Sequence, residues 1–213
     1  MNITICRKGD DISWDDLADL LHESFQERLQ QGLHFSCSYL TANDLETQSN
    51  GDVVLVAVDT DDNILAGTVS FEINSKKKDK RAYHYNLAVR PQYKHYGIAT
   101  QLLQKGVEIV KEHGCEYIIS DTAVGAKSSV HWHLKNGFRI VGLKSWTNTN
   151  YYSYVFRKQL ANDFWWENAI FNKLCFWLSS LKCRLCYHEN GNLTRLMKGA
   201  LWLLDKLRKL VGK

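Results

Sequence analysis

The sequence predicts a mixed α/β fold, a single central sheet flanked by helices and followed by a C-terminal amphipathic helical extension. Three observations predict it. Short β-branched or alternating runs interleave with stretches of 3.6-residue periodicity. Apolar residues make up 45% and charged residues 23% of the 213, which suits a packed core and excludes a disordered chain. The order of elements, βα, three strands, α, β, α, β, β, is that of a layered domain built around one sheet.

Residues 3–6 read as a short strand. Residues 12–21 carry Trp14, Leu17, Ala18 and Leu21 at helical spacing, with Ser13 or Asp11 as N-cap. From 26 to 48 the pattern is weak, consistent with two short helices or an ordered loop. Residues 52–58 form a buried strand, and Asp61-Asp62-Asn63 turns it into a second strand at 64–73. The lysine-rich knot at 75–80 reads as a solvated hairpin tip. The strand at 81–89 sets Tyr83, Tyr85 and Leu87 on one face and His84, Asn86 and Ala88 on the other. After Pro91, the only proline, Ala99, Leu102, Leu103, Gly106, Val107 and Val110 mark a helix that His113-Gly114 ends. A strand at 116–120, a helix at 128–134 closed by Lys135-Asn136-Gly137, and strands at 138–143 and 151–156 complete the domain.

The net charge of +4 is unevenly placed. Residues 162–213 hold nine Lys/Arg against four acids, so the preceding 161 residues are close to neutral. Four of the seven Trp and three of the six Cys also fall in that last quarter. There Trp166, Ile170, Leu174, Trp177, Leu178 and Leu181 make one apolar stripe, and Leu193 to Val211 carry a second. Division into a domain at 1–160 and a basic helical appendage at 161–213 follows. Such helices suit docking on the domain, a homodimer, or peripheral contact with an anionic membrane. No reading motif points to nucleic acid. The cysteines form no regular framework and the first seven residues show no basic-then-apolar leader, so a cytoplasmic protein is expected. Cys183-x-x-Cys186-x-His188 has two thiols and an imidazole but lacks a second ligand pair, and no metal site is expected.

The chemistry concentrates in Leu87-Ala88-Val89-Arg90-Pro91-Gln92-Tyr93-Lys94-His95-Tyr96-Gly97-Ile98-Ala99-Thr100. A buried strand enters a loop that opens onto a helix N-terminus, where free amides and the helix dipole attract an anion. Gly97 and the small Ala99 let a phosphate approach the backbone, and Lys94 adds charge. The loop is neither a Walker loop nor a dinucleotide fingerprint.

Lys94-x-x-Gly97-x-Ala99, flanked by Leu87-Ala88-Val89 and Leu102-Leu103, resembles the acyl-coenzyme A signature of the GNAT N-acetyltransferase superfamily. Lys94 stands where that signature has Gln or Arg. Trp132-His133-Leu134-Lys135-Asn136-Gly137-Phe138 is similar to the family's Leu-Tyr-x-x-x-Gly-Phe segment, and the likeness in element order spans residues 1–160. The resemblance implies a GNAT-like mixed sheet in which the strand at 81–89 splays from a parallel neighbour at 116–120. Pantetheine would lie in that wedge along Leu87, Ala88 and Val89. The pyrophosphate would sit on His95, Tyr96, Gly97, Ile98, Ala99 and Thr100 beside Lys94. It further implies direct attack of an amine on the thioester of acetyl-CoA, with a strand N–H stabilising the oxyanion and a base and an acid moving protons. His133 matches the family tyrosine that protonates the leaving thiolate, and could donate the proton, bond the sulfur, or pack on the cofactor. The family's asparagine at the helix start is replaced by Ala126, leaving Ser128 or Ser129 as substitutes. Tyr83 and Tyr85 match histidines of some relatives; tyrosines ionise near pH 10 and would orient a water or the acceptor. Glu72 is the carboxylate candidate for the base. Tyr83, Tyr85, Trp146, Tyr151 and Tyr152 could line an acceptor cleft. The expected activity is N-acetylation of a small-molecule or carbohydrate amine; a longer acyl chain or a non-catalytic acyl-CoA binder are the alternatives.

Overall fold

Seven strands assemble because each alternates or runs apolar at its buried face. The computed structural model describes residues 1–74, 80–161 and 169–211. The lysine knot at 75–79 and Trp166 therefore lie outside the described residues. The strands are β1 (Ile3–Arg7), β2 (Val53–Asp59), β3 (Ile64–Asn74), β4 (Arg81–Val89), β5 (Tyr117–Ala123), β6 (Arg139–Ser145) and β7 (Tyr152–Gln159), in spatial order β1-β2-β3-β4-β5-β7-β6. All neighbours are antiparallel except β4 and β5.

That parallel ladder is short. It joins Arg81, Ala82 and Tyr83 to Tyr117, Ile118 and Ile119 and goes no further, although β4 continues for six residues and β5 for four. The cause is written into β4. Its register against β3 shifts between Thr68 and Ser70, and Asn86 sits at φ 51°. A bulged residue in the left-handed region twists a strand away from its neighbour, so β4 and β5 part like a wedge.

Helix α1 (Trp14–Gln30) starts at a capping box between Ser13 and Asp16, and α2 (Ala42–Gln48) at one between Thr41 and Asp44. Helix α1 runs well past the expected 12–21. Apart from Phe25, which packs on Phe35, its second half is largely polar and bonds across to distant segments, which hides its periodicity. Between α1 and α2 lies one turn of 3₁₀-helix, Ser36–Ser38. With α2 and Phe35, α1 covers one face of the sheet through Leu17, Leu20, Leu21 and Leu45. Helix α3 (Ile98–Glu112) covers the other through Ile98, Leu102, Leu103 and Val110 against Leu55, Phe71 and Phe156. Helix α4 (Lys127–Lys135) follows β5.

Helix α3 lies close enough to the sheet that Gly106 cannot carry a side chain: a Cβ there would come 2.1 Å from Phe71 Cζ. The Phe71 ring is fully buried. In Gly106→Ala the overpacking cost of about 1–3 kcal/mol is expected to exceed the ~1 kcal/mol of helix propensity gained. Urea titration of the variant should show a lower midpoint, and an unchanged or higher one would show that Phe71 yields.

The last two helices, α5 (Ala169–Cys186) and α6 (Arg195–Val211), follow β7. Helix α5 packs on β6, with the Ser179 hydroxyl accepting from the Leu143 amide at 3.1 Å and Phe176 against Tyr154. The turn between them leans on the loop after β6: Tyr152 donates to the Tyr187 carbonyl at 2.8 Å, Ser145 donates to that of His188, and Gly191 sits against Trp146 and Thr147. The hairpin thus docks on its own domain. Cys183 is buried and Cys186 half-buried, and no cluster of metal-ligating side chains occurs among the described residues.

Candidate active site

Where β4 and β5 part, a cleft of about 580 Å³ opens, walled by both strands, α1, α4 and the loop after β6. Leu87, Ala88, Val89, Lys94 and Ala99 line it, as do Tyr83, Tyr85, His133, Trp146 and Tyr151. His95, Tyr96, Gly97 and Thr100 stand beside it at the start of α3, and Ile98 turns into the core. Thr100 accepts from the Trp132 indole at 3.3 Å, tying α3 to α4. Tyr152 points to the tail instead.

The α3 entry is shaped for an anion. His95 at φ 72° and Gly97 at φ 79° both take left-handed backbone. The amides of residues 95–99 find no acceptor among the described residues, and the first α3 bonds run from Thr100 and Gln101 to the Gly97 carbonyl at 3.0 Å. A helix N-terminus with converging free amides binds phosphate. Helix α1 guards this entry. Glu27 pairs with Lys94 at 2.8 Å, Glu23 pairs with Arg90, and Arg28 donates to Ser128. Lys94 is therefore held by a carboxylate, which in turn is kept below the usual carboxylate range by the Lys94 bond.

The floor of the cleft is a chain of three buried side chains. His133 Nδ1 lies 2.8 Å from the Ser129 carbonyl, and a carbonyl only accepts, so Nδ1 carries the proton and Nε2 a lone pair. Ser120 Oγ, 3.1 Å from that Nε2, donates to it. His84 Nδ1, at 2.9 Å, then donates to Ser120. His84 Nε2 has no partner among the described residues. Burial lowers the titration of both imidazoles, that of His84 to about 3, with the charge of His133 a lesser cause. His133 also stacks on Phe156 at 4.4 Å.

This chain makes stability pH-dependent. Unfolded histidine titrates near 6.5, so between about 6.5 and 3 the unfolded chain holds a proton that native His84 does not. The fold is expected to lose up to about 1.4 kcal/mol per pH unit from His84 as pH falls below 6.5, and nothing from it above. His133 shifts in the same direction. Urea midpoints at pH 7.5 and 5 should differ, and the difference should shrink in His84→Gln. Equal midpoints for the parent chain would contradict a neutral buried pair.

At the mouth stands a carboxylate that the sequence reading passed over. Asp121 accepts from the Tyr83 hydroxyl and from the Trp146 indole at 2.9 Å. Tyr83 stacks on Tyr85 at 5.9 Å, and Tyr85 donates to Asp52 at 2.6 Å. Burial, together with these carboxylates, pushes both phenols well above their ordinary range, so they act as donors and not as bases. Glu72 does not join this group. It is exposed opposite Tyr83 on the neighbouring strand and does not line the cleft. Asp121 escaped notice because β5 runs three residues beyond its expected end at 120. Ser128 and Ser129 line the cleft in the absence of an asparagine at Ala126. Burial holds the Cys37 thiol of the lining up at about 12, leaving no thiolate to accept an acyl group.

Comparison with known proteins follows the same lines. A family model described as the acetyltransferase (GNAT) family matches residues 14–138. No curated protein sequence matches the chain. Among solved structures, a GNAT family acetyltransferase from Elizabethkingia anophelis with acetyl-CoA bound superposes with TM-score 0.57 at 16% identity, covering 75% of this chain and 99% of that one. A PaiA N-acetyltransferase from Thermoplasma acidophilum in complex with coenzyme A gives TM-score 0.55 at 21% identity, covering 75% and 100%. A GNAT family acetyltransferase from Staphylococcus aureus Mu50 gives TM-score 0.57 at 15% identity, covering 75% and 99%. At such identities the likeness is one of fold.

Proposed function

Because the chain belongs to the GNAT acetyltransferase family, we propose that it moves the acetyl group of acetyl-CoA directly onto a primary amine of a small molecule or sugar. The observation that carries this is Asp121, a carboxylate fixed by Tyr83 and Trp146 where β4 and β5 part. On this reading residues 1–160 do the chemistry and 161–213 are an appendage.

Acetyl-CoA fits as donor substrate. Leu87, Ala88 and Val89 offer the strand edge left open beyond Tyr83, and the amides of residues 95–99 offer the anion site. Lys94 reaches the phosphates once it leaves Glu27. The acceptor arrives as an ammonium, which Asp121 attracts. Asp121 first takes one ammonium proton, directly or through water, which frees the nitrogen lone pair. The amine then attacks the carbonyl carbon and the N–C bond forms, and as the tetrahedral intermediate collapses with C–S cleavage its second N–H proton passes to water. The departing group is a thiolate whose conjugate acid titrates near 8.5, so it needs a hydrogen bond more than a full proton. Ser120 supplies that bond by rotating from His133, which orients it, and water protonates the thiolate afterwards. Tyr85 positions the acceptor. Glu72 acts only as a neighbouring charge. The ring wall of Tyr83, Tyr85 and Trp146 favours a flat or sugar-like acceptor.

Thiol release from acetyl-CoA with a panel of amino sugars, arylamines and polyamines tests this reading. Turnover with one class is expected; tight acetyl-CoA binding without turnover on any amine would replace the transferase with a binder. Turnover of longer acyl donors in preference to acetyl would support the longer-chain reading.

A further inference from the structure

Helix α5 turns toward the sheet Phe176, which packs on Tyr154, Ser179, which is bonded to Leu143, and the covered Ser180 and Cys183. Its opposite side carries Ile170, Leu174, Trp177, Leu178, Leu181 and Leu185, each 43–81% exposed. Helix α6 likewise shows Leu196, Leu203, Leu204 and Leu207 to solvent. Packed helices normally turn most of their large apolar residues inward; here most of those on two adjoining helices face solvent. A patch of this kind marks an interaction surface.

Charge identifies the occupant. Residues 169–211 contain eight Lys/Arg and two acids. Arg195, Lys198 and Lys206 are exposed on α6, with Lys206 over the Trp202 ring at 4.0 Å. Lys173, Lys182 and Arg184 are exposed on α5. Two copies meeting through this surface would bring like charges together in a low-dielectric interface, and a nucleic acid would leave the leucines wet. An anionic bilayer meets both demands, since leucines and tryptophans enter the acyl boundary while lysines reach phosphates. No described helix is long and apolar enough to cross a membrane.

We propose that α5 and α6 form an in-plane docking surface for an anionic phospholipid bilayer. The hairpin turn leans on the loop that carries Trp146 and Thr149 along the cleft. This surface stands apart from the chemistry proposed above and survives if that chemistry is wrong.

The test is flotation of the full chain with vesicles of phosphatidylcholine alone or mixed with phosphatidylglycerol, at low and high salt. Flotation with the mixed vesicles only, falling roughly ten-fold at high salt, is expected. Leu174→Ser/Trp177→Ser/Leu178→Ser, at exposed positions, should abolish it while circular dichroism stays unchanged. Lys198→Glu/Lys206→Glu should weaken it. Absence of flotation, or equal flotation with neutral vesicles, overturns the proposal. So does a dimer in analytical ultracentrifugation that the triple substitution dissolves, because the face then belongs to a second copy.

Discussion

Asp121→Asn is expected to lower kcat/KM for the amine by roughly 10²–10⁴-fold, the range spanned by loss of a positioned base. Acetyl-CoA affinity should change little, because Asp121 stands at the amine side of the wedge. Asparagine can still accept from the Trp146 indole and, with its NH2, donate to the Tyr83 hydroxyl, so the contacts can persist while the negative charge is lost. Tyr83→Phe separates the effects: it removes one bond and leaves the carboxylate. A base role makes the two variants differ in pH dependence. As pH approaches the amine's own pKa the substrate arrives deprotonated, and the deficit of Asp121→Asn should narrow while that of Tyr83→Phe does not. A pH-independent deficit in Asp121→Asn would reduce Asp121 to an anchor for the ring wall. Unchanged kcat/KM would remove it from the site.

Gly97→Glu is expected to raise the dissociation constant for acetyl-CoA by about two orders of magnitude. Two separable effects follow, one on stability and one on affinity. A side chain at φ 79° costs roughly 1–2 kcal/mol of folding stability. The new carboxylate also competes for the α3 amides and repels a pyrophosphate a few ångströms away, which is worth about 1–4 kcal/mol at surface dielectrics. Gly97→Ala isolates the first effect, since a Cβ there meets nothing closer than the Gln101 side chain at 3.9 Å. It should lower the melting temperature and leave affinity within a few-fold. Calorimetric titration of acetyl-CoA into both variants measures the contrast. Equal affinity in a folded Gly97→Glu would move the phosphates off α3.

The architecture was legible because strands and helices that feed one core carry their burial as periodicity. Leu102, Leu103, Gly106 and Val110 declared α3, and Val53 to Val58 declared β2. The wedge could be anticipated only through the family likeness, because its cause is a bulge at Asn86 that no local pattern announces. The second half of α1 stayed hidden for a different reason. Glu23, Glu27 and Arg28 bond to Arg90, Lys94 and Ser128, far away in sequence, so from residue 26 on the chain read as short helices or an ordered loop. Asp121 was likewise invisible, since one carboxylate past the expected end of β5 gains meaning only when Tyr83 arrives from β4 and Trp146 from the loop after β6. His133 was found, yet its partners Ser120 and His84 were not. In the tail, periodicity cannot tell an inward face from an outward one, and Leu174, Trp177, Leu178 and Leu181 of the expected stripe face solvent.

The Ser179 hydroxyl on the Leu143 amide has a bearing on how these molecules tolerate crowding. β6 is a border strand, bonded only to β7 within the sheet, and an uncovered border invites a strand from a neighbouring chain. Helix α5 lies along that border and one of its hydroxyls occupies an outward amide. Growth of the sheet by strand addition is thereby blocked on the β6 side and left to the five-residue β1 at the other end, too short a template to propagate a fibre readily.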